Sequence, residues 1–444
     1  MSSLNFILFP FFILSTSFVN GGNSLNSILI TVIIFSIFIY NFPIIYNNQI
    51  INKKLLISFF LFSAYLIIQI IPFPSSLIKF LSLSSYDLFN SLYKSYQWMT
   101  ISLNPLLTLK YFFSFILGFF LIFYVPHFIK SKAELRYFWL GIIYIGIIHA
   151  IFGLLIYFFQ INQISIYEKK FYLNSITGFF INRNNFSFFC VILFIMTIYF
   201  YNFSSKYFYA PKSKSIFNYL LSDLFLIRLV LIIFAVTIIL TKSRAGNLTF
   251  FISLFMMFYL DYRTHKKWTF FSKTILTVII IDILFLSYYL GSEELIQRVA
   301  ISSFEGERTR WEIFSYGLSK FYDFSLMGYS LGNFSSLFRI DLFQGGQFYD
   351  HVHNDFIEYA GELGILGLFL FCILFFFYSK QYLSNKKSLK TLTDIHHMII
   401  VVIIAVLVHG NFDFALHIPS NILLIFLIFG MGLTQLSRSI KKVI

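Results

Sequence analysis

Two histidines followed by acidic residues stand at the edge of a long apolar stretch. The segment Asp350-His351-Val352-His353-Asn354-Asp355 leads directly into apolar sequence from about residue 357. A histidine at such a boundary could act as a general base or orient a hydroxyl, because it titrates near neutral pH. Histidines at i and i+2 do not share a helix face, and no further His or Cys lies nearby in the sequence. We therefore predict no metal site here and treat one of the two histidines as a candidate catalytic group.

Arginines in three other stretches are candidates for binding phosphate, because the planar guanidinium fork suits phosphate oxygens. Arg244 lies in the turn Thr241-Lys242-Ser243-Arg244-Ala245-Gly246, between a hydroxyl and two small residues. Arg308 and Arg310 precede a helical pattern with an apolar stripe. Arg183 lies in Asn182-Arg183-Asn184-Asn185. The structural alternative is that these residues form solvated turns and caps, or that their charges extend to a membrane interface.

The composition indicates that membrane-spanning helices position these residues. Hydrophobic residues make up 58% of the 444 residues and charged residues only 12%, against about 25% charged in ordinary globular chains. The apolar runs are long enough for helices, so we predict an all-α polytopic membrane protein. The net charge of +14 is explained by cytoplasmic loops rich in Lys and Arg, and nucleic acid is not an expected partner. Membrane lipids are expected partners.

About twelve transmembrane helices are predicted, and both termini are predicted to be cytoplasmic because Lys and Arg then concentrate in the inner loops. The expected spans are 4–20, 27–46, 55–73, 109–129, 137–159, 185–202, 224–241, 246–261, 274–291, 357–379, 395–409 and 417–437. Residues 1–444 then form one integral membrane domain. The long outer loops at 74–108 and 292–356 are expected to form a cap, and all the candidate residues lie at this outer face.

Taken together, these stretches resemble the bacterial O-antigen ligase and O-antigen polymerase superfamily. The signature of the ligase branch is His-Asn, nine residues and Gly-x-x-Gly, and the chain has His353-Asn354, residues 355–363 and Gly364-Ile365-Leu366-Gly367. Further similar stretches follow the order of the family. They are Gly178 to Asn184, Ser243-Arg244, Arg310 to Phe314 with Met327 to Phe334, and His409 to Pro419.

The resemblance implies a twelve-helix membrane glycosyltransferase of the C-type architecture in the bacterial inner membrane. It implies that a glycan linked to undecaprenyl diphosphate binds from the periplasmic side, and that no metal or other cofactor takes part. His353 would be the catalytic base, and Arg310 and Arg244 would stabilise the leaving diphosphate. Arg308, Asn354, Arg183 and His351 are the expected substrate-binding residues.

Several functions share these motifs. A glycan ligase that transfers the glycan to a hydroxyl of lipid A–core is the first hypothesis. An O-antigen or exopolysaccharide polymerase, whose acceptor is another lipid-linked glycan, and a protein O-oligosaccharyltransferase are the alternatives. A transporter of lipid-linked glycans is disfavoured, because the few charged residues within spans suggest no route across the membrane.

Overall fold

The computed structural model describes most of the chain. The described residues are 2–43, 51–92, 96–161, 163–164, 167–207, 223–269, 271–273, 275–277, 280, 310–341, 348–386 and 393–434. Most of them are helical, and two short antiparallel pairs, 73–74 with 98–99 and 163–164 with 167–168, are the strands found among them. The predicted all-α class is confirmed at this level.

The helices carry numbers in chain order. They are α1 (Ser3–Leu14), α2 (Leu25–Asn41), α3 (Lys53–Ile68), α4 (Ser75–Leu81), α5 (Leu83–Leu92), α6 (Pro105–Phe128), α7 (Lys132–Phe158), α8 (Arg183–Tyr207), α9 (Asp223–Leu240), α10 (Arg244–His265), α11 (310–323), α12 (Phe334–Asp341), α13 (Asp355–Lys386), α14 (Thr393–Gly410) and α15 (Pro419–Gly432).

Five of these helices, α6, α7, α8, α13 and α14, are long and apolar enough to cross a membrane. A multi-pass membrane protein is therefore confirmed. The predicted spans up to 246–261 and the last three each coincide with a helix, whereas the span at 274–291 lies mostly outside the described residues. The count of twelve crossings, the orientation and the C-type architecture stay predictions.

The helix starts are set by local chemistry that the sequence carries. Asn104 accepts a hydrogen bond from the third residue of α6, and Pro105 occupies the first position, where a missing N–H costs nothing. Ser131 and Glu134 form a capping box at the start of α7. Such caps fix where each apolar run enters the bundle.

Helix α8 lies at the centre of the bundle, since 94% of its most apolar stretch is buried. It packs against α7, α9, α10 and α14, while α6 packs against α15 and α13 against α3. A helix that is apolar on all sides needs neighbouring helices on every side. The aromatic residues of α8 provide much of the apolar surface that these neighbours cover. Helices α8, α13 and α15 begin at the same end of the bundle, which we call the site end.

The predicted cap loops contact one another at the site end where they are described. Side chains of α11, α12 and the following loop form a small apolar core that includes Ile313, Phe334 and Val352. Leu88 and Leu103, from the 74–108 segment, pack against this core. The described part of the 292–356 loop is thus ordered by its own apolar contacts, as its aromatic content indicates.

Candidate active site

The glycines of the signature allow a loop to pack against a kinked helix. Gly364 has φ +59° within α13, and a Cβ atom there would lie 2.4 Å from the backbone nitrogen of Gly328. A Cβ at Gly367 would lie 2.6 Å from the ring of Tyr65, whose hydroxyl donates to the carbonyl of Met327 at 2.7 Å. Only glycine accepts this conformation and this approach. The motif therefore holds the 325–333 loop against the start of α13.

His353 lies two residues before α13 in a left-handed backbone conformation, with φ +59°. Its Nδ1 is 3.3 Å from Oδ1 of Asp413, which comes from the turn between α14 and α15. Asp413 is fully buried, and its carboxylate also accepts hydrogen bonds from the Phe414 N–H, at 2.9 Å, and from the side chain of Asn184. The imidazole keeps 22% of its side-chain surface exposed, so it remains accessible.

The charges of this pair shift both pKa values in the directions expected for an ion pair. Burial lowers the pKa of His353, but the hydrogen bond and charge of Asp413 raise it above its ordinary value of 6.5. Burial raises the pKa of Asp413, but His353, the charge of His409 and the Phe414 N–H lower it to about 2. Because Nδ1 faces Asp413, Nε2 on the opposite side of the ring is the atom that can exchange a proton with a substrate.

His351 has a different environment. Its Nδ1 lies 2.7 Å from Oε1 of Glu358, and its ring stacks on Phe414 with the centroids 3.9 Å apart. Oε2 of Glu358 accepts the N–H of Val352 at 2.8 Å. His351 is 8% exposed, so its contacts are mainly internal. Its predicted substrate-binding role stays a prediction, and the geometry favours positioning of the loop.

Behind the two histidines lies a buried charged cluster centred on His417. Asp355, Glu358 and Glu362 lie on one face of α13, and all three are fully buried. His417 Nδ1 is 2.7 Å from Asp355, and Nε2 is 3.2 Å from Glu362 and 3.5 Å from Glu358. Burial lowers the pKa of His417, but the charges and hydrogen bonds of these carboxylates raise it well above the ordinary value. The imidazolium therefore holds α13 against the α14–α15 turn.

This cluster bears on the prediction that no metal binds. The sequence shows no further histidine near His351 and His353, but folding brings His417, which is distant in the sequence, beside His351 and Glu358. Ligand atoms of these three residues lie within 4.8 Å of one another, which is a set that could hold a metal ion. The same nitrogen and oxygen atoms already pair with each other, so the cluster is also complete as a hydrogen-bonded ion-pair network. The absence of a metal stays a prediction.

The structure brings two of the predicted arginines to the histidines. Arg310 begins the described part of α11, and its charge acts on both His353 and Tyr172. Arg183, at the start of α8, donates from Nη1 to Ser175 Oγ at 3.2 Å, and its guanidinium carbon lies 5.2 Å from the ring centroid of Tyr172. Both are partly buried. Arg183 also directly precedes Asn184, whose side chain donates to Asp413, so both arginines lie at the end of the bundle that carries His353.

The remaining predicted residues are less directly connected. Arg244 is exposed as the first residue of α10, which Ser243 caps, and this turn packs on Ser187 of α8. Among the described residues we find no hydrogen bond or ion pair that joins Arg244 to the histidines. Asn354 caps α13: Oδ1 accepts the N–H groups of residues 356 and 357, and Nδ2 donates to the carbonyl of Asn411 at 3.2 Å. Arg308 lies outside the described residues.

An apolar cavity of about 340 Å³ lies among α3, α6, α13, α14 and α15. Its lining includes Phe115, Tyr359, Leu416 and Phe426. The Tyr359 ring stacks on His417 with the centroids 4.1 Å apart, and its hydroxyl donates to the Leu416 carbonyl at 2.6 Å. The charged cluster and the apolar cavity therefore share a wall.

The sequence reasoning missed Asp413 and His417 as members of the site. Both lie in the stretch from His409 to Pro419 that carried part of the resemblance, yet they are 60 and 62 residues away from their partners His353 and Asp355. The signal that could have found them is a polar residue pattern in a short turn between two apolar spans. Such residues are expensive near a membrane unless they are paired.

These features define a multi-pass helical membrane protein with a buried acid–histidine site at one end of its helices. A family model described as O-antigen ligase matches residues 229–372, which include Arg244, Arg310 and the complete His353 to Gly367 signature. The match confirms the resemblance seen in the motifs and supports assignment to the O-antigen ligase superfamily, whose chemistry is glycosyl transfer of the ligase or polymerase type. No curated protein matches the chain.

Proposed function

We propose that this protein is a glycan ligase of the bacterial inner membrane. It transfers a glycan from undecaprenyl diphosphate to an acceptor hydroxyl at the periplasmic face, and lipid A–core is the first candidate acceptor. The observation that carries the proposal is the accessible imidazole of His353, held at Nδ1 by the buried carboxylate of Asp413 and within electrostatic range of Arg310.

The pair supports a single displacement at the sugar. Neutral His353 accepts the proton of the acceptor hydroxyl at Nε2 while the hydroxyl oxygen forms a bond to the anomeric carbon. The bond between that carbon and the diphosphate oxygen breaks, and its electron pair leaves with the diphosphate. Asp413 holds Nδ1–H and stabilises the imidazolium that forms. Attack opposite the leaving group inverts the anomeric carbon.

The leaving diphosphate gains negative charge as its bond to the sugar breaks. We assign Arg310 to this charge, because its charge acts on His353. Arg244 and Arg183 belong to the rim of the same end, and Arg308 is the reserve for Arg310. The apolar cavity below the site has the chemistry to hold an isoprenoid chain, because its lining is almost entirely aromatic and aliphatic.

The test is transfer by the purified protein in lipid nanodiscs, with an undecaprenyl-diphosphate-linked glycan as donor and lipid A–core as acceptor. His353→Gln should lower the single-turnover rate by about 10²- to 10⁴-fold and leave donor binding intact. His265→Gln is the matched control, because this exposed histidine lies at the opposite end of α10 from Arg244. Equal transfer by His353→Gln and the wild type would refute the assignment of the base.

A deletion strain separates the ligase from its alternatives. Lipid A–core without attached polysaccharide, together with accumulated full-length lipid-linked chains, is the result expected for a ligase. Single repeats on the core would instead identify a polymerase. Loss of glycan from proteins alone would identify a protein O-oligosaccharyltransferase.

The periplasmic location is tested by cysteine labelling. Ser319 and Ser384 are both exposed, and Ser384 lies near the end of α13 that is remote from His353. In a chain without Cys190 and Cys372, Ser319→Cys should react with a membrane-impermeant reagent in spheroplasts and Ser384→Cys should not. The reverse pattern would move the site to the cytoplasmic face.

A further inference from the structure

Lys110 is a buried lysine near the site end that the sequence motifs do not include. It lies in the second turn of α6, one of the helices able to cross a membrane, and only 7% of the residue is exposed. An ionisable side chain in such a position is costly to bury and is therefore a functional candidate, once a partner for its charge can be identified.

The observed neighbours of Lys110 do not neutralise its charge. Its Nζ donates to Oδ1 of Asn23, a neutral amide, at 2.7 Å, and it lies 4.3 Å from the ring centroid of Tyr111. Among the described residues we find no carboxylate within 4.0 Å of this ammonium group. The charges of Glu362 and Asp350 act on it from further away. A buried ammonium group with only a neutral amide and an aromatic face can still take an anionic ligand.

The position of Lys110 connects it to the proposed active site. Asp350, whose charge acts on Lys110, acts on His353 as well. The adjacent Tyr111 packs its ring edge-on against His417, with the centroids 5.8 Å apart. Lys110 therefore lies beside the buried cluster and within electrostatic range of Asp350, whose charge also acts on His353.

The histidines of the site already have acidic partners. His417 pairs with Asp355 and Glu362, and His353 pairs with Asp413. Lys110 differs from both of them, because its hydrogen-bond acceptor is uncharged. A phosphate group would supply the missing negative charge, and lysine binds phosphate as a compact point charge.

We propose that Lys110 binds a phosphate group of the lipid-linked donor and so forms part of the donor site, on the α6 side of the cluster. The inference rests on the proposed function and adds a residue outside the motifs to it. Replacing the ammonium group should lower donor affinity by about 10- to 100-fold, since a hydrogen bond to a charged group is worth one to two decades of binding.

The experiment measures lipid binding to the full chain in nanodiscs. The probes are undecaprenyl diphosphate, undecaprenol, which lacks phosphate, and phosphatidylglycerol, which presents an ordinary phosphate headgroup. Lys110→Met removes the charge at nearly constant length, with Lys110→Gln as a second variant in case the first does not fold. Lys79→Met is the matched control, because Lys79 on α4 is exposed and also lies over a tyrosine ring, that of Tyr86.

Asn23→Ala separates anion binding from a structural role, because it removes the hydrogen-bond acceptor and keeps the ammonium group. The expected result is that Lys110→Met weakens binding of undecaprenyl diphosphate alone, while Asn23→Ala and Lys79→Met bind it within about threefold of the wild type. Equal binding by Lys110→Met and the wild type would overturn the inference. So would equal losses in Lys110→Met and Asn23→Ala, or a loss of phosphatidylglycerol binding of the same size.

Failure of the proposed function would look different. In that case the wild type itself would not prefer undecaprenyl diphosphate over undecaprenol. Preserved preference in the wild type with no effect of Lys110→Met would leave the ligase proposal standing and remove only the role of Lys110.

Discussion

Replacing Asp413 with asparagine tests the central pair of the site. The change keeps the size of the side chain and an oxygen that can accept from either Phe414 N–H or Asn184, but it removes the negative charge. At 3.3 Å and an effective dielectric constant of about 20, the attraction between Asp413 and protonated His353 is about 5 kcal/mol before screening by solvent. With its oxygen toward Asn184, the amide places its nitrogen at the Oδ1 position, where it can donate to Nδ1 of His353 and favour the tautomer with its proton on Nε2.

We therefore expect Asp413→Asn to slow transfer by about 10²- to 10⁴-fold, which corresponds to roughly 3–5 kcal/mol in the barrier. The pH profile should change as well. The pKa of His353 is raised above 6.5 by Asp413, and transfer needs neutral His353, so the wild-type rate should rise with pH through that raised value. In Asp413→Asn the acidic limb should move to lower pH.

The assay is single-turnover transfer across pH 5 to 9 with saturating donor. Asp394→Asn is the control, because Asp394 is also buried and hydrogen-bonded, to Asn202 and Lys206, but lies at the opposite end of α14. A wild-type rate for Asp413→Asn, with an unmoved acidic limb, would refute the role of Asp413. Equal slowing by both variants would point to lost stability instead.

Three further outcomes are expected. Gly364→Ala should lower the free energy of unfolding of the solubilised protein by about 1–3 kcal/mol or more, and with it the thermal midpoint, because φ at residue 364 is +59° and the new Cβ would meet the backbone of Gly328. An unchanged midpoint would contradict this packing. Because the pKa of His417 is raised in the folded state, its ion pairs stabilise the protein below about pH 6.5 and are lost as the pH rises through the raised value. The stability advantage of the wild type over His417→Gln should therefore shrink on the alkaline side, and a constant difference would argue against a charged His417. Transfer should persist in excess EDTA; a loss that Zn²⁺ restores would instead identify His351, Glu358 and His417 as metal ligands.

Helix positions could be predicted from the sequence because they depend on local properties. Apolar runs of about 20 residues, Asn or Ser caps and Lys-rich loops are all contiguous in the chain. The His353 to Gly367 signature is also contiguous, and it was sufficient to indicate the family that the comparison supports. The glycines of that signature could be recognised as a motif. The reason why glycine is needed there, close contact with the 325–333 loop, could not be predicted from the sequence.

The tertiary structure gave the two histidines different partners. In sequence His351 and His353 are two positions apart with similar acidic neighbours, and only folding gives one of them Glu358 and the other Asp413. Asp413, His417 and Lys110 reach the site from helices and turns distant in the chain. Whether each of these buried charges has a charged partner depends on how the helices pack, which local sequence patterns do not encode.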